Sequence, residues 1–168
     1  MALSPTLSHI VLVITAGVLF YVGLTDFKYF KIRNELVLVL VGLFILYALL
    51  SGRWISAHWN LGFAALMFGI MLYFYAQNAM GGGDLKILTV AFLWVGVGCA
   101  LPFAVLLAVC AALHMAAAKF GWAEVQEVGG RKRIPLAPSV AAAMIVCFLL
   151  GCLQPVHGTS PCPYCLPW

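Results

Sequence analysis

A chain of 168 residues of which 65% are hydrophobic and 8% charged has more apolar surface than a globule of this size can bury, because a soluble domain carries roughly 25% charged residues. Its solvent is therefore the bilayer, and the length leaves room for a single integral-membrane domain over residues 1–168 but for no large soluble one. The net charge of +4 does not indicate nucleic acid, since the basic residues stand in short loops between apolar runs, where their usual role is to set membrane orientation.

Taken in chain order, the apolar runs predict an all-α, polytopic fold of about six transmembrane helices, over residues 7–25, 36–50, 59–76, 85–98, 101–118 and 136–153. The first run has no basic residue before it, as a secretory signal would, and reads as a retained span. The fourth run is short and must borrow length from its flanks; the tight break at residues 98–102 makes it a hairpin with the fifth. Between the fifth and sixth runs, residues 119–128 alternate apolar and polar around Trp122, Glu124 and Glu127, which predicts an interfacial helix with a solvated face.

The loops carry the orientation signal. Lys28, Lys31, Arg33, Lys86, Lys119, Arg131, Lys132 and Arg133 fall in or beside loops one, three and five, and Arg53 alone falls in the alternate set. By the positive-inside rule, loops one, three and five are cytoplasmic and both termini periplasmic. Trp54, Trp59 and Trp94 then stand near the outer interface, and Tyr29, Tyr75 and Trp122 near the inner one.

Of the five acidic residues, two are aspartates, Asp26 and Asp84. Asp26 ends the first span, running inward, and Asp84 begins the fourth, running outward, so this topology brings two carboxylates to the same membrane depth. That is the arrangement aspartic-protease chemistry requires. One carboxylate must be ionised to activate water and the other protonated to polarise the scissile carbonyl, and a close pair of like charges shares one proton. For either residue alone a simpler reading stands beside this one: Asp84 as the N-cap of its helix, Asp26 as a solvated interfacial residue. Gly81, Gly82 and Gly83 precede Asp84, and glycine lets backbone approach a substrate closely. No H-E-x-x-H, P-loop or G-x-S-x-G sequence occurs, and the chemistry needs no metal or organic cofactor.

The string Gly81-Gly82-Gly83-Asp84-Leu85-Lys86-Ile87-Leu88 resembles the G-x-G-D motif of the type IV prepilin peptidases. In that family the first aspartate is followed six residues on by I, then P-N; here Asp26 is followed by Ile32, Arg33 and Asn34, with Arg33 in place of the proline. A third family tract, I-P-x-[GA]-P, matches Ile134-Pro135-Leu136-Ala137-Pro138. The resemblance implies an aspartic endopeptidase of the bacterial inner membrane with Asp26 and Asp84 as catalytic residues, supported by Gly81, Gly83, Lys86 and Asn34. Its implied partners are a prepilin with a short basic leader followed by an apolar helix, the surrounding lipid and the pilus secretion machinery; the bond is cut on the cytoplasmic side. Long members also methylate the new N-terminus through an extra segment after the first span. The short stretch between Asp26 and Leu36 resembles instead the protease-only form that serves Flp-type (tight-adherence) pilins.

Two rival readings use the same residues. An intramembrane protease of the presenilin type would place its aspartates deeper and carries Tyr before the first, where this chain has Thr25. A proton-coupled carrier or non-enzymatic assembly factor would place ionisable groups near the bilayer midplane or do without the aspartates. Elsewhere, Cys162 and Cys165 form a C-x-x-C that predicts a local periplasmic disulfide, and His114, near the inner end of the fifth span, is expected to snorkel to the interface rather than to touch the active site.

Overall fold

The computed structural model describes residues 5–29, 32–51, 54–78, 80–119, 126–128, 131–133 and 136–151. Among the described residues six helices follow one another: α1 (Pro5–Tyr29), α2 (Asn34–Ser51), α3 (Trp54–Ala76), α4 (Gly82–Val95), α5 (Ala100–Lys119) and α6 (Ala137–Leu149). Four of them, over Thr6–Tyr29, Asn34–Ser51, Ala57–Ala76 and Ala100–Ala117, are long and apolar enough to cross a membrane. Large side chains such as Val13, Trp59, Leu101 and Leu113 stand outward on these helices, an apolar exterior too extensive for a water-soluble monomer. The chain is a multi-pass membrane protein.

Helix α4 is the exception to this exposure. Its 14 residues rise only about 21 Å, and most of its side chains, from Leu85 through Val95, are buried. It packs along α3 and also meets α2, α5 and α6. Lipid is as apolar as leucine, so helices associate in it through close packing and hydrogen bonds. Both are visible around Trp94, which is 0% exposed. Its indole N–H donates to the Leu40 carbonyl on α2 at 3.1 Å, and its ring is flanked by Phe44, Tyr47 and Phe148. Trp94 is thus not a member of the outer aromatic belt expected from the sequence; a buried indole N–H needs an acceptor, and Leu40 supplies it. Trp59, at 70% exposed, does face outward, as do Tyr29 and Tyr75.

The element expected as an interfacial helix over residues 119–128 is divided. Helix α5 continues to Lys119, while Gln126–Val128 pairs antiparallel with Arg131–Arg133, Val128 opposite Arg131. Gly129 and Gly130 lie between them in the sequence, a dipeptide that favours a two-residue hairpin and outweighs weak helical patterning. Trp122, Glu124, Cys162 and Cys165 lie outside the described residues.

The α4–α5 connection is a tight turn at residues 96–99, earlier than the break expected at 98–102, because α5 already begins at Ala100 and includes Pro102 in its first turn. Gly96 takes φ 63° and ψ −174°, a region open essentially to glycine alone. A Cβ there would overlap the Asn60 side-chain amide on α3. Gly96→Ala is therefore expected to destabilise the protein by about 2 kcal/mol or more, seen as a lower thermal midpoint in detergent. Gly98→Ala, with nothing within 4 Å of the added carbon, is expected to leave the midpoint nearly unchanged.

Candidate functional site

The site is built at the end of the bundle where α1 finishes and α2, α4 and α6 begin. The α1 backbone stays helical through Tyr29, one turn beyond the predicted end of the first span, so Asp26 lies within the last turn and not after it. It is 5% exposed, and the solvated interfacial reading does not describe it. Its Oδ2 accepts the Ala137 N–H at 3.3 Å. Ala137 opens α6, whose N-cap position is Leu136, a residue with no side chain able to cap. The first N–H groups of a helix have no partner within it; Pro138 removes one of those donors, and Asp26 takes another from across the bundle.

Small residues make that reach possible. Gly23 stands one turn before Asp26, and a Cβ placed on it would lie 3.4 Å from the Pro138 Cα and 3.5 Å from the Ala141 Cβ. Close backbone approach through small residues is the usual way helices pack in membranes. The residues that seat Asp26 are thus Gly23, Ala137, Pro138 and Ala141. Gly23 and Ala141 are missed by a search for chemical groups; the signal they leave is smallness on facing helices, which a single sequence does not pair.

Asp84 is the third residue of α4 and is half-buried. The N-cap is Gly81, in extended conformation, which corrects the N-cap reading of the aspartate itself. An acid at this third position lies in the favourable field of the helix N-terminus. Its Oδ2 is folded back so far that a Cβ on Gly81 would lie 3.0 Å from it. The absence of a side chain at Gly81 is what leaves space for the carboxylate. Gly83 lies against Ile32, whose Cδ1 would be 3.4 Å from an added Cβ. Lys86 Nζ donates to Asn34 Oδ1 at 2.7 Å. Arg33, beside these residues, forms an exposed ion pair with Glu35, a contact worth little in stability.

Three sequence tracts therefore converge. The tract after Asp26 touches the glycine–aspartate tract through Ile32 with Gly83 and Asn34 with Lys86, and the tract at the start of α6 touches Asp26 through Ala137. The aspartates themselves are not in backbone contact: no Cα of α1 comes within 8 Å of one of α4, and α6 packs against both helices. Ile134 and Pro135 of the third tract lie outside the described residues.

His114 on α5 turns inward. Its Nδ1 is 3.3 Å from Ser139 Oγ and its ring centroid 6.2 Å from that of Phe27. Its Nε2 is buried and has no hydrogen-bond partner among the described residues. The expectation that it snorkels to the interface is corrected: a hydroxyl on α6 and the Phe27 ring hold it inside the bundle. Among the described residues, no group of three or more His, Cys, Asp or Glu side chains is placed to hold a metal ion.

Comparison with known proteins adds one finding. The family described as the type IV leader peptidase family has a model that matches residues 13–117, more than half of the chain and inclusive of Asp26, Asn34, Gly81, Gly83, Asp84 and Lys86. No curated protein and no solved structure matches the chain.

The Gly81 geometry yields a direct test. Gly81→Ala is expected to displace the Asp84 carboxylate; if that carboxylate reacts, as the motif resemblance implies, prepilin cleavage falls by about tenfold or more, with accumulation in the membrane unchanged. Gly42→Ala on α2, where nothing lies within 4 Å, is the control and is expected to retain activity.

Proposed function

Because this chain belongs to the type IV leader peptidase family and is thus a leader-peptidase-type protease, we propose that it is an aspartic endopeptidase removing the leader from Flp-type prepilins at the cytoplasmic face of the bacterial inner membrane. The convergence of the Asp26, Gly81–Asp84 and Ala137–Pro138 tracts at one end of the bundle is the observation that supports this reading best. The whole chain acts as one peptidase domain of six spans, with both termini periplasmic. Family membership favours it over the presenilin-type protease and over the carrier or assembly factor.

In this mechanism Asp26 and Asp84 work as one pair sharing a proton. The ionised carboxylate takes a proton from water as the water oxygen attacks the scissile carbonyl carbon. The protonated one gives its proton to the carbonyl oxygen, so the tetrahedral intermediate forms without net charge transfer to solvent. Collapse breaks the C–N bond: the proton taken from water passes to the leaving amine, and one hydroxyl of the intermediate returns its proton to the carboxylate that had donated, which restores the shared proton of the pair. The pair titrates as a unit, and its two apparent pKa values belong to both residues. With their Cα atoms more than 8 Å apart, the carboxylates meet through the scissile bond and its water. Gly81 and Gly83 give the Asp84 segment room to adjust as substrate closes the site. The prepilin, an apolar helix behind its leader, reaches the site laterally from the lipid.

Asp26→Asn and Asp84→Asn keep shape and remove ionisation. In Asp26→Asn the side-chain amide still offers an oxygen to the Ala137 N–H, so each change is expected to cost at most about 1 kcal/mol of stability. Each alone is expected to reduce cleavage of a co-expressed Flp-type prepilin at least about a thousandfold, with the double variant no worse than either, because the pair acts as a unit. Glu35→Gln, on the exposed Arg33 pair, is expected to remain active. Gel shift of the pilin together with an immunoblot of the membrane protein reads both quantities. Continued processing by a well-accumulated Asp84→Asn protein would refute the assignment.

The short segment between Asp26 and α2 leads to a further expectation: the enzyme cleaves without methylating. Mass spectrometry of pilin processed in cells lacking any other prepilin peptidase should find a free N-terminal amine, and an added methyl group would contradict it.

A further inference from the structure

His114 is an inward-turned titratable side chain beside the proposed pair that the mechanism above does not use. Its neighbours Leu113 and Met115 face outward, whereas His114 turns toward α6 and α1. Ser139, buried two residues after Ala137, holds its Nδ1, and Phe27, the residue after Asp26, packs on its ring. The start of α6 therefore bridges the two groups, with the Ala137 N–H on the Asp26 carboxylate and the Ser139 hydroxyl on the imidazole. Asp26 and His114 thus both meet the first turn of α6, two residues apart along it.

The position of the imidazole proton follows from these surroundings. A bare lone pair on Nε2 would stand in the negative field of the carboxylate, whereas an N–H there is favoured. In that tautomer the Ser139 hydroxyl donates to Nδ1, and the proton on Nε2 would have no acceptor among the described residues. A buried donor of this kind calls for an acceptor, and the Asp26 carboxylate is the anionic one at hand.

We propose that His114 is a positioning residue for the peptidase reaction: oriented by Ser139, it directs its Nε2–H toward the Asp26 carboxylate through one bridging water, and favours the singly ionised state of the aspartate pair. This rests on the reading of Asp26 as one of that pair. The other titratable groups on the surrounding elements are few. Helix α6 contributes Cys147, two turns further along and buried; α4 contributes Asp84 and Lys86, the latter engaged with Asn34; α1 adds Lys28 and Tyr29 at its end, and α5 itself Cys110 and Lys119. None of the cations among these is shown against the Asp26 carboxylate, so the imidazole and the Ala137 N–H are the groups that favour its charge.

A donor beside the pair stabilises the singly ionised form over the fully protonated one, and so extends activity to lower pH. Its loss must move the acid limb of the kcat profile upward. The test uses full-length protein reconstituted in liposomes, cleaving an Flp-type prepilin over a range of pH. His114→Leu is expected to lower kcat about tenfold with little change in KM, and to raise the acid limb by about one pH unit. His114→Gln, which places an N–H near the position of Nε2, is expected to restore most of the rate and the original limb. Ser139→Ala, which keeps the ring but frees it, is expected to give a smaller shift in the same direction, and it carries the test if His114→Leu does not accumulate.

An unchanged acid limb in His114→Leu, or in Ser139→Ala where that variant stands in, overturns the inference. So does a loss of rate that His114→Gln fails to restore, since packing alone would explain it. Cleavage by the wild type together with its loss in Asp84→Asn keeps the protease reading intact in either case. Absence of cleavage by the wild type overturns that reading, and this inference with it.

Discussion

A helix that begins inside a membrane protein brings N–H groups that neither its own turn nor water satisfies, and at the start of α6 one of them is taken by Asp26. Much of the architecture follows from that bond. Helix α6 packs against α1, α4 and α5, so the group that fixes its first turn also fixes how three other helices stand relative to Asp26. The approach requires Gly23 and Ala141 to be small and Pro138 to lack a donor. The same carboxylate is thus a structural acceptor and, in the proposed mechanism, a reacting group. The two roles are compatible: an N–H bonded to one carboxylate oxygen leaves the other available to water and favours the charge the reaction needs.

The second constraint is the solvent. With lipid outside, apolar burial does little to choose one helix packing over another, and specificity falls to the polar groups that must be satisfied. Trp94 on Leu40 ties the far end of α4 to the middle of α2, and Lys86 on Asn34 ties the same two helices at their N-terminal ends. Two bonds along one helix pair set its register as well as its proximity, and register decides where Asp84 sits. The hydroxyls of Thr15, Thr25 and Thr89 meanwhile bond to carbonyls of their own helices, as polar side chains in such helices commonly do.

Much of this is legible in the sequence, and the reasons differ by feature. Helices separated by short polar breaks follow from hydropathy alone, and the six runs reappear as six helices because lipid permits no other satisfied backbone than helix or closed barrel. Their ends are less legible: α1 runs past Thr25 and α4 begins at Gly82, since the first turn of a helix tolerates glycine and the last turn tolerates charge. The contacts of Asn34 with Lys86 and of Ile32 with Gly83 join residues already singled out by motif. Trp94, His114 and the 126–133 hairpin mislead for one shared reason. Each has a local pattern that suits an interface, and each is decided by a partner elsewhere in the chain, a side chain or backbone group for Trp94 and His114 and a paired strand for residues 126–128. Gly23 leaves no chemical mark at all, because what matters there is the room it gives to α6.

The shortness of α4 has a bearing on how the protein is assembled. At 14 residues, with glycines at its start and Asp84 and Lys86 in its first two turns, it transfers less apolar length from water to lipid than any of the four long helices. Partition into the bilayer as an independent segment favours it least, while most of its side chains are buried against protein once α3, α2 and α6 are present. Its residence in the membrane is accordingly a property of the assembled bundle. The segment that carries Asp84 takes its place only as its neighbours do, so an unassembled chain lacks the geometry of the proposed peptidase site.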